Sequence, residues 1–138
     1  MLKVQDLMTP NPVAVSQDTS LKKVWKLMKV EDHRHLPVIN RQGELTGIIT
    51  DRDLRLAMNS PYVLHERKED EHLLASNTAL GIMTDKPFTV APNDPAYQAA
   101  EILGLHKFGA LPVVEGKTLV GIISVTDFLA QFIVEQTM

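Results

Sequence analysis

The sequence predicts a mixed α/β (α+β) fold made of two β-α-β-β-α repeats that pack as a pseudo-twofold pair. Three recurring blocks carry this reading. Met8-Thr9-x-x-Pro12-x-x-Val15 returns as Met83-Thr84-x-x-Pro87-x-x-Val90, 75 residues on. Leu36-Pro37-Val38-Ile39 returns at the same offset as Leu111-Pro112-Val113-Val114. Gly47-Ile48-Ile49-Thr50-x-x-Asp53 returns 74 residues on as Gly121-Ile122-Ile123-Ser124-x-x-Asp127. Blocks in one order at nearly constant spacing mark an internal duplication. The expected division is a first repeat over 1–59, a charged linker over 60–77 and a second repeat over 78–138.

Each repeat opens with a helical turn before Met8 or Met83. A short extended piece follows, Pro12–Val15 and Pro87–Val90. An amphipathic helix comes next, with Leu21, Val24, Trp25 and Met28 spaced as a core stripe in the first repeat, and Ala99, Ile102 and Leu103 in the second. Asp94 is placed to cap the second of these helices, with Pro95 as its first helical residue, and Thr19 holds the equivalent cap position. Two apolar strands follow, Leu36–Ile39 and Leu45–Thr50, turned at Gln42-Gly43. Their repeats are Leu111–Glu115 and Leu119–Ser124, turned at Gly116-Lys117. A closing helix completes each repeat, Asp51–Met58 and Val125–Glu135. So small a sheet needs a partner for its second face, which a tandem pair supplies.

Composition narrows the function. Hydrophobic residues at 44% suffice for a core, so the chain is not read as disordered. A formal net charge of −3 argues against a duplex-DNA binder, whose phosphate grip needs a net basic face. The absence of cysteine removes disulfides, thiolate metal sites and cysteine nucleophiles. The first residues lack a signal-peptide core and no apolar run is long enough to span a membrane, so the cytoplasm is expected. The mixed-charge run Glu66–Glu71 reads as a solvated linker or a docking surface.

Gly-Ile-Ile-Thr/Ser-x-x-Asp ends a strand and starts a helix at once. One reading is a capping box, in which the hydroxyl and the acid satisfy backbone N–H groups reciprocally. The other reading uses the same geometry for a ligand. A helix N-terminus suits a phosphate, and an aspartate one turn later suits the paired hydroxyls of a ribose. Pro12 and Pro87 either end the preceding turn or leave nearby backbone groups free for the edge of a planar base. Asp32-His33-Arg34-His35, with Arg52 and Arg55, is either a solvated loop or a polyphosphate contact. The second repeat has Lys107-Phe108-Gly109-Ala110 there, which is much less basic. Two histidines are too few for a metal site. No phosphate loop, nucleophile elbow or zinc-protease motif is present, and only one carboxylate of the Asp51/Asp53 pair recurs. Binding is favoured over catalysis.

These blocks resemble the CBS domain family, whose tandem pairs are called Bateman modules. The carrying residues are Met8-Thr9-x-x-Pro12, Arg34-His35-Leu36-Pro37-Val38 and Gly47-Ile48-Ile49-Thr50-Asp51-Arg52-Asp53, with their second-repeat equivalents. The resemblance implies a regulatory module that binds AMP, ADP, ATP or S-adenosylmethionine in two clefts. One cleft would use Thr50 and Asp53, with Thr84, Pro87 and Phe88 near the base. The other would use Ser124 and Asp127, with Thr9, Pro12 and Val13. Arg34 and His35 match a position that contacts phosphate in the family, and Arg52 lies beside them in the motif. A homodimer and an unidentified regulated protein are the implied partners, with no nucleic acid and no membrane. The alternative is a ligand-free dimerisation or docking scaffold.

Overall fold

The structure, a computed structural model, describes residues 1–58 and 77–138. The Glu66–Glu71 run and nearly all of the expected linker lie outside the described residues. The elements in chain order are α1 (Val4–Leu7), β1 (Thr9–Pro10), β2 (Val15–Ser16), α2 (Leu21–Lys29), β3 (His35–Ile39), β4 (Leu45–Thr50) and α3 (Asp51–Met58). A 3-10 turn at Ala79–Gly81 leads to β5 (Thr84–Asp85), α4 (Ala96–His106), β6 (Ala110–Glu115), β7 (Thr118–Ser124) and α5 (Val125–Thr137). The mixed α/β pattern is thus realised, with two strands the blocks did not announce, β1 and β5; of the expected extended piece Pro87–Val90 only Val90 pairs, as an isolated bridge.

The chain forms two compact units, and these are not the two repeats. One unit joins Met1–Pro12 and Gly43–Leu45 to Pro87–Met138; the other is Val13–Gln42 with Thr46–Lys86. Each repeat therefore lends its opening segment to the unit that holds the other repeat's core.

In the Val13 unit, β2-β3-β4-β5 form a four-stranded sheet, β2 parallel to β3 and β5 antiparallel to β4. Its core is Val15, Leu21, Val24, Met28, Leu36, Val38, Ile49, Leu54 and Ala79. In the Met1 unit, β1-β7-β6 form an antiparallel sheet, and Val90 pairs parallel with Val113. Its core is Val4, Val90, Ala99, Leu103, Leu111, Val113 and Ile123. The turn glycines Gly43 and Gly116 both take positive φ, +80° and +63°, as the tight strand connections require.

Two expected helix caps are corrected. Ser20, not Thr19, caps α2 and accepts the Lys23 N–H at 3.2 Å. Pro95 stands at the cap position of α4 with no side-chain cap, and the helix begins at Ala96. The reason is the crossing chain. The first N–H groups of α2 and α4 donate to main-chain carbonyls, Leu21 to Asn77 and Ala96 to Leu2, each at 2.9 Å. Thr19 and Asp94 instead each accept a backbone N–H three residues back, from Ser16 at 3.0 Å and Ala91 at 2.8 Å. Both close the turn that precedes the helix. Trp25 also departs from expectation. It lies at the rim of α2, 38% exposed, while Leu21, Val24 and Met28 fill the core.

The crossing segments lie very close to the strands they join. A Cβ at Gly47 would sit 2.7 Å from Met83 Sδ and 2.8 Å from the Thr84 carbonyl oxygen. At Gly121 the same atom would sit 2.6 Å from Met8 Sδ and 3.1 Å from the Thr9 carbonyl oxygen. Beyond each crossing strand the chain enters the left-handed region, Asn11 at φ 48° and Lys86 at φ 49°. Asparagine tolerates that conformation; lysine is strained in it.

Gly47→Ala is expected to cost about 1–3 kcal/mol through overpacking against main chain. Gly121→Ala should cost less, because both sites meet a movable methionine end but the main-chain carbonyl lies 3.1 Å away at Gly121 and 2.8 Å at Gly47. Thermal melts of both variants check the order. Lys86→Asn, which copies the residue at the equivalent place in the first repeat, should stabilise by about 0.5–1 kcal/mol and raise the melting temperature.

Candidate nucleotide-binding site

The strand-to-helix junctions form the same local structure twice. At the end of β4, Asp53 Oδ2 accepts the Thr50 N–H at 2.9 Å, and Thr50 Oγ1 accepts the Asp53 N–H at 3.1 Å. At the end of β7, Asp127 Oδ2 accepts the Ser124 N–H at 2.8 Å, and Ser124 Oγ accepts the Asp127 N–H at 3.4 Å. Both are capping boxes, so that reading of the motif is realised. The cap uses one carboxylate oxygen. Among the described residues, no hydrogen bond reaches Oδ1 of Asp53 or Asp127. Each half-buried carboxylate is held in one rotamer with an acceptor left over.

The crossing strands complete each junction. Thr84 pairs with Ile48 and Thr9 with Ile122, in each case two residues before the capping hydroxyl. Side chains alternate along a strand, so Thr84 shares a face with Thr50, and Thr9 with Ser124. Thr50, Asp53 and Thr84 thus meet in the Val13 unit; Ser124, Asp127, Thr9 and Pro12 belong to the Met1 unit. Pro87 and Phe88 fall in the Met1 unit and Val13 in the other, so the candidate base-contacting residues divide between the two units.

The basic candidates gather at the first junction. The Asp51 N–H donates to the Arg34 carbonyl at 3.0 Å, which ties the start of β3 to the start of α3. Arg34 and Arg52 are exposed there, and His35 is half-buried. The second repeat makes the same main-chain contact, Val125 N–H to the Gly109 carbonyl at 3.0 Å, but Gly109, Ala110 and Thr126 stand where Arg34, His35 and Arg52 do. The two junctions therefore share a backbone and differ in charge. Burial holds the His35 imidazole below its ordinary value of 6.5; the Arg34 charge pushes the same way, and Asp51 opposes.

Two features escaped sequence reasoning. The Thr126 hydroxyl lies 2.8 Å from Ser124 Oγ, an extra polar group at the second junction that the offset to Arg52 would have located. Phe88, His106 and Phe108 form an exposed three-ring cluster, with centroids 4.5 Å apart for Phe88–His106 and 5.2 Å for His106–Phe108. Phe88 stood out in the sequence; nothing there linked it to the end of α4.

The family model for the CBS domain matches residues 4–60 and 79–133. The chain belongs to the CBS domain family. This CBS pair is 33% identical over 127 residues to a CBS domain-containing protein of Dictyostelium discoideum, covering 91% of this chain and 88% of that one. It resembles the crystal structure of a putative acetoin utilization protein from Vibrio cholerae, with a TM-score of 0.83, 31% identity, and 99% and 94% of the two chains covered. It also resembles CBSX2 in complex with AMP, with a TM-score of 0.82, 27% identity and 99% of each chain covered. Enzymes match as well, but the CBS pair spans only a small part of them, 23% of a homoserine O-acetyltransferase from Methanococcoides burtonii. No described helix is long and apolar enough to cross a membrane.

The depressed value of His35 sets a pH dependence of stability. The unfolded chain binds the proton more readily, so stability falls as pH drops through 6.5 toward the folded value and is level below it. Thermal melts from pH 7 downward should show this loss, and His35→Gln should remove that part of it.

Proposed function

We propose that the chain is a regulatory module that binds an adenine nucleotide, AMP, ADP or ATP, and signals its level to a partner protein in the cytoplasm. S-adenosylmethionine is the competing adenosyl ligand. The observation that carries this reading is the duplicated junction. Oδ2 of each aspartate is committed to the cap, which fixes the direction in which Oδ1 faces. An ionised carboxylate held that way suits the cis-diol of a ribose, and the adjoining helix N-terminus suits a phosphate. The AMP complex of a relative with the same fold supports the ligand class.

With Asp53 we group Thr50, Thr84, Pro87 and Phe88, and with Asp127 we group Ser124, Thr9, Pro12 and Val13. Arg34, His35 and Arg52 adjoin the first group only, so that site is the one suited to a polyphosphate. The role is binding rather than turnover, since the recurring groups provide one acceptor oxygen each and no paired acid and base.

A homodimer belongs to the same proposal. No side chain of α5 is fully buried, though Phe128 packs against the core, and Leu129, Phe132 and Ile133 are exposed on it at 56%, 59% and 61%. Such a stripe is long for a free surface and matches a second copy of itself.

Isothermal titration with AMP, ATP and S-adenosylmethionine tests the ligand. Asp53→Asn and Asp127→Asn keep a cap acceptor but lose the carboxylate. Each should weaken its own site about tenfold or more, given about 1.5–3 kcal/mol for a hydrogen bond to a charged group. Arg34→Ala should weaken ATP more than AMP. No binding of any of the three ligands at millimolar concentration would overturn the reading. Sedimentation of Phe132→Glu with Ile133→Glu should give monomer where the parent gives dimer.

A further inference from the structure

α2 carries Lys22, Lys23, Lys26 and Lys29 in nine residues and no acidic residue. At 100° per residue, Lys22, Lys26 and Lys29 fall within one narrow strip, flanked by Trp25 on one side and Lys23 on the other. All five side chains are exposed. Among the described residues no ion pair engages any of the lysines. The buried stripe of Leu21, Val24 and Met28 lies on the opposite side. Among the described residues the strip is therefore a basic face without an ion partner, about 10 Å long, on a helix fixed to the core.

Fold stability does not account for it. Lys22 and Lys23 sit in the first turn, where the helix dipole disfavours cations, and Lys22 and Lys26 repel one another at i, i+4. The duplication supplies an internal control. At the equivalent places α4 has Tyr97, Gln98, Glu101 and Gly104, and Ala100 replaces Trp25. α4 packs the same way onto its own core without a single lysine. The helix needs its apolar stripe; it does not need the basic face.

We propose that this face docks an acidic segment of a partner protein, with carboxylates set against the three lysines and apolar contact on the Trp25 ring. Charge complementarity gives the partner its sign, and the half-exposed indole gives an anchor of the kind that dominates protein interfaces. A lipid surface is less suited, because the apolar side of α2 is committed to the core and cannot enter a bilayer. Nucleic acid is less suited because the chain as a whole carries a formal charge of −3. The surface uses none of the residues assigned to nucleotide binding, so it stands or falls separately from that reading.

Trp25 is the single tryptophan of the chain and reports on the face directly. The full chain is titrated with poly-L-glutamate while Trp25 emission is followed. A saturable change is expected, with affinity falling about tenfold between about 50 and about 300 mM salt. A Lys22→Gln, Lys26→Gln, Lys29→Gln variant should lose the response while melting at or above the parent's temperature, since it relieves the charge repulsion. No response to poly-L-glutamate, or an unchanged response in the triple variant, overturns the proposal. So does tighter binding of duplex DNA or of phosphatidylserine vesicles.

Discussion

Two close main-chain contacts hold the arrangement together. Met83-Thr84 presses on Gly47 and Met8-Thr9 presses on Gly121, with no room for a Cβ in either place. These contacts let a two-residue strand from one repeat pair with the long strand that leads into the other repeat's helix. Everything at the junction follows from that pairing. It places a threonine two residues short of the capping hydroxyl, on the same sheet face. It also brings the carbonyls that receive the first N–H groups of α2 and α4. A glycine in the third block and a methionine-threonine pair in the first are thus one structural device, separated by the length of a repeat.

The capping box and the ligand site are one piece of chemistry seen from two sides. A carboxylate with two oxygens can hold a helix start and still offer an acceptor. The cap removes rotamer freedom before any ligand arrives, and preorganisation of that kind lowers the entropy a ligand must give up. The two junctions then diverge through side chains alone. The first has Arg34, His35 and Arg52 around an unchanged backbone; the second has Gly109, Ala110 and Thr126. His35 illustrates the cost of adding charge-bearing groups to a position its counterpart fills with alanine. The imidazole becomes half-buried and resists protonation.

The same divergence between copies separates structure from function elsewhere. Where the repeats agree, as in the apolar stripes of α2 and α4, the fold explains the residues. Where they disagree, as in the lysines of α2, the fold does not need them. A duplicated chain carries its own reference for that judgement.

The sequence by itself determined the duplication, the paired apolar strands and main helices of each repeat, and the strand-to-helix junctions with the residues at them, but not the crossing strands β1 and β5. It could do so because periodicity, turns and capping chemistry are local. It misplaced the caps of α2 and α4 and took Trp25 for core, and it could not attach His106 and Phe108 to Phe88. Those features depend on which distant segment supplies a carbonyl, a wall or a ring. The exchange of opening segments was likewise invisible, since a pattern repeated at 74 or 75 residues is the same whether each copy folds on itself or lends a strand to the other. Only the tertiary structure decided that, through backbone pairing at Gly47 and Gly121, where the missing side chain is what allows the two segments of the chain to meet.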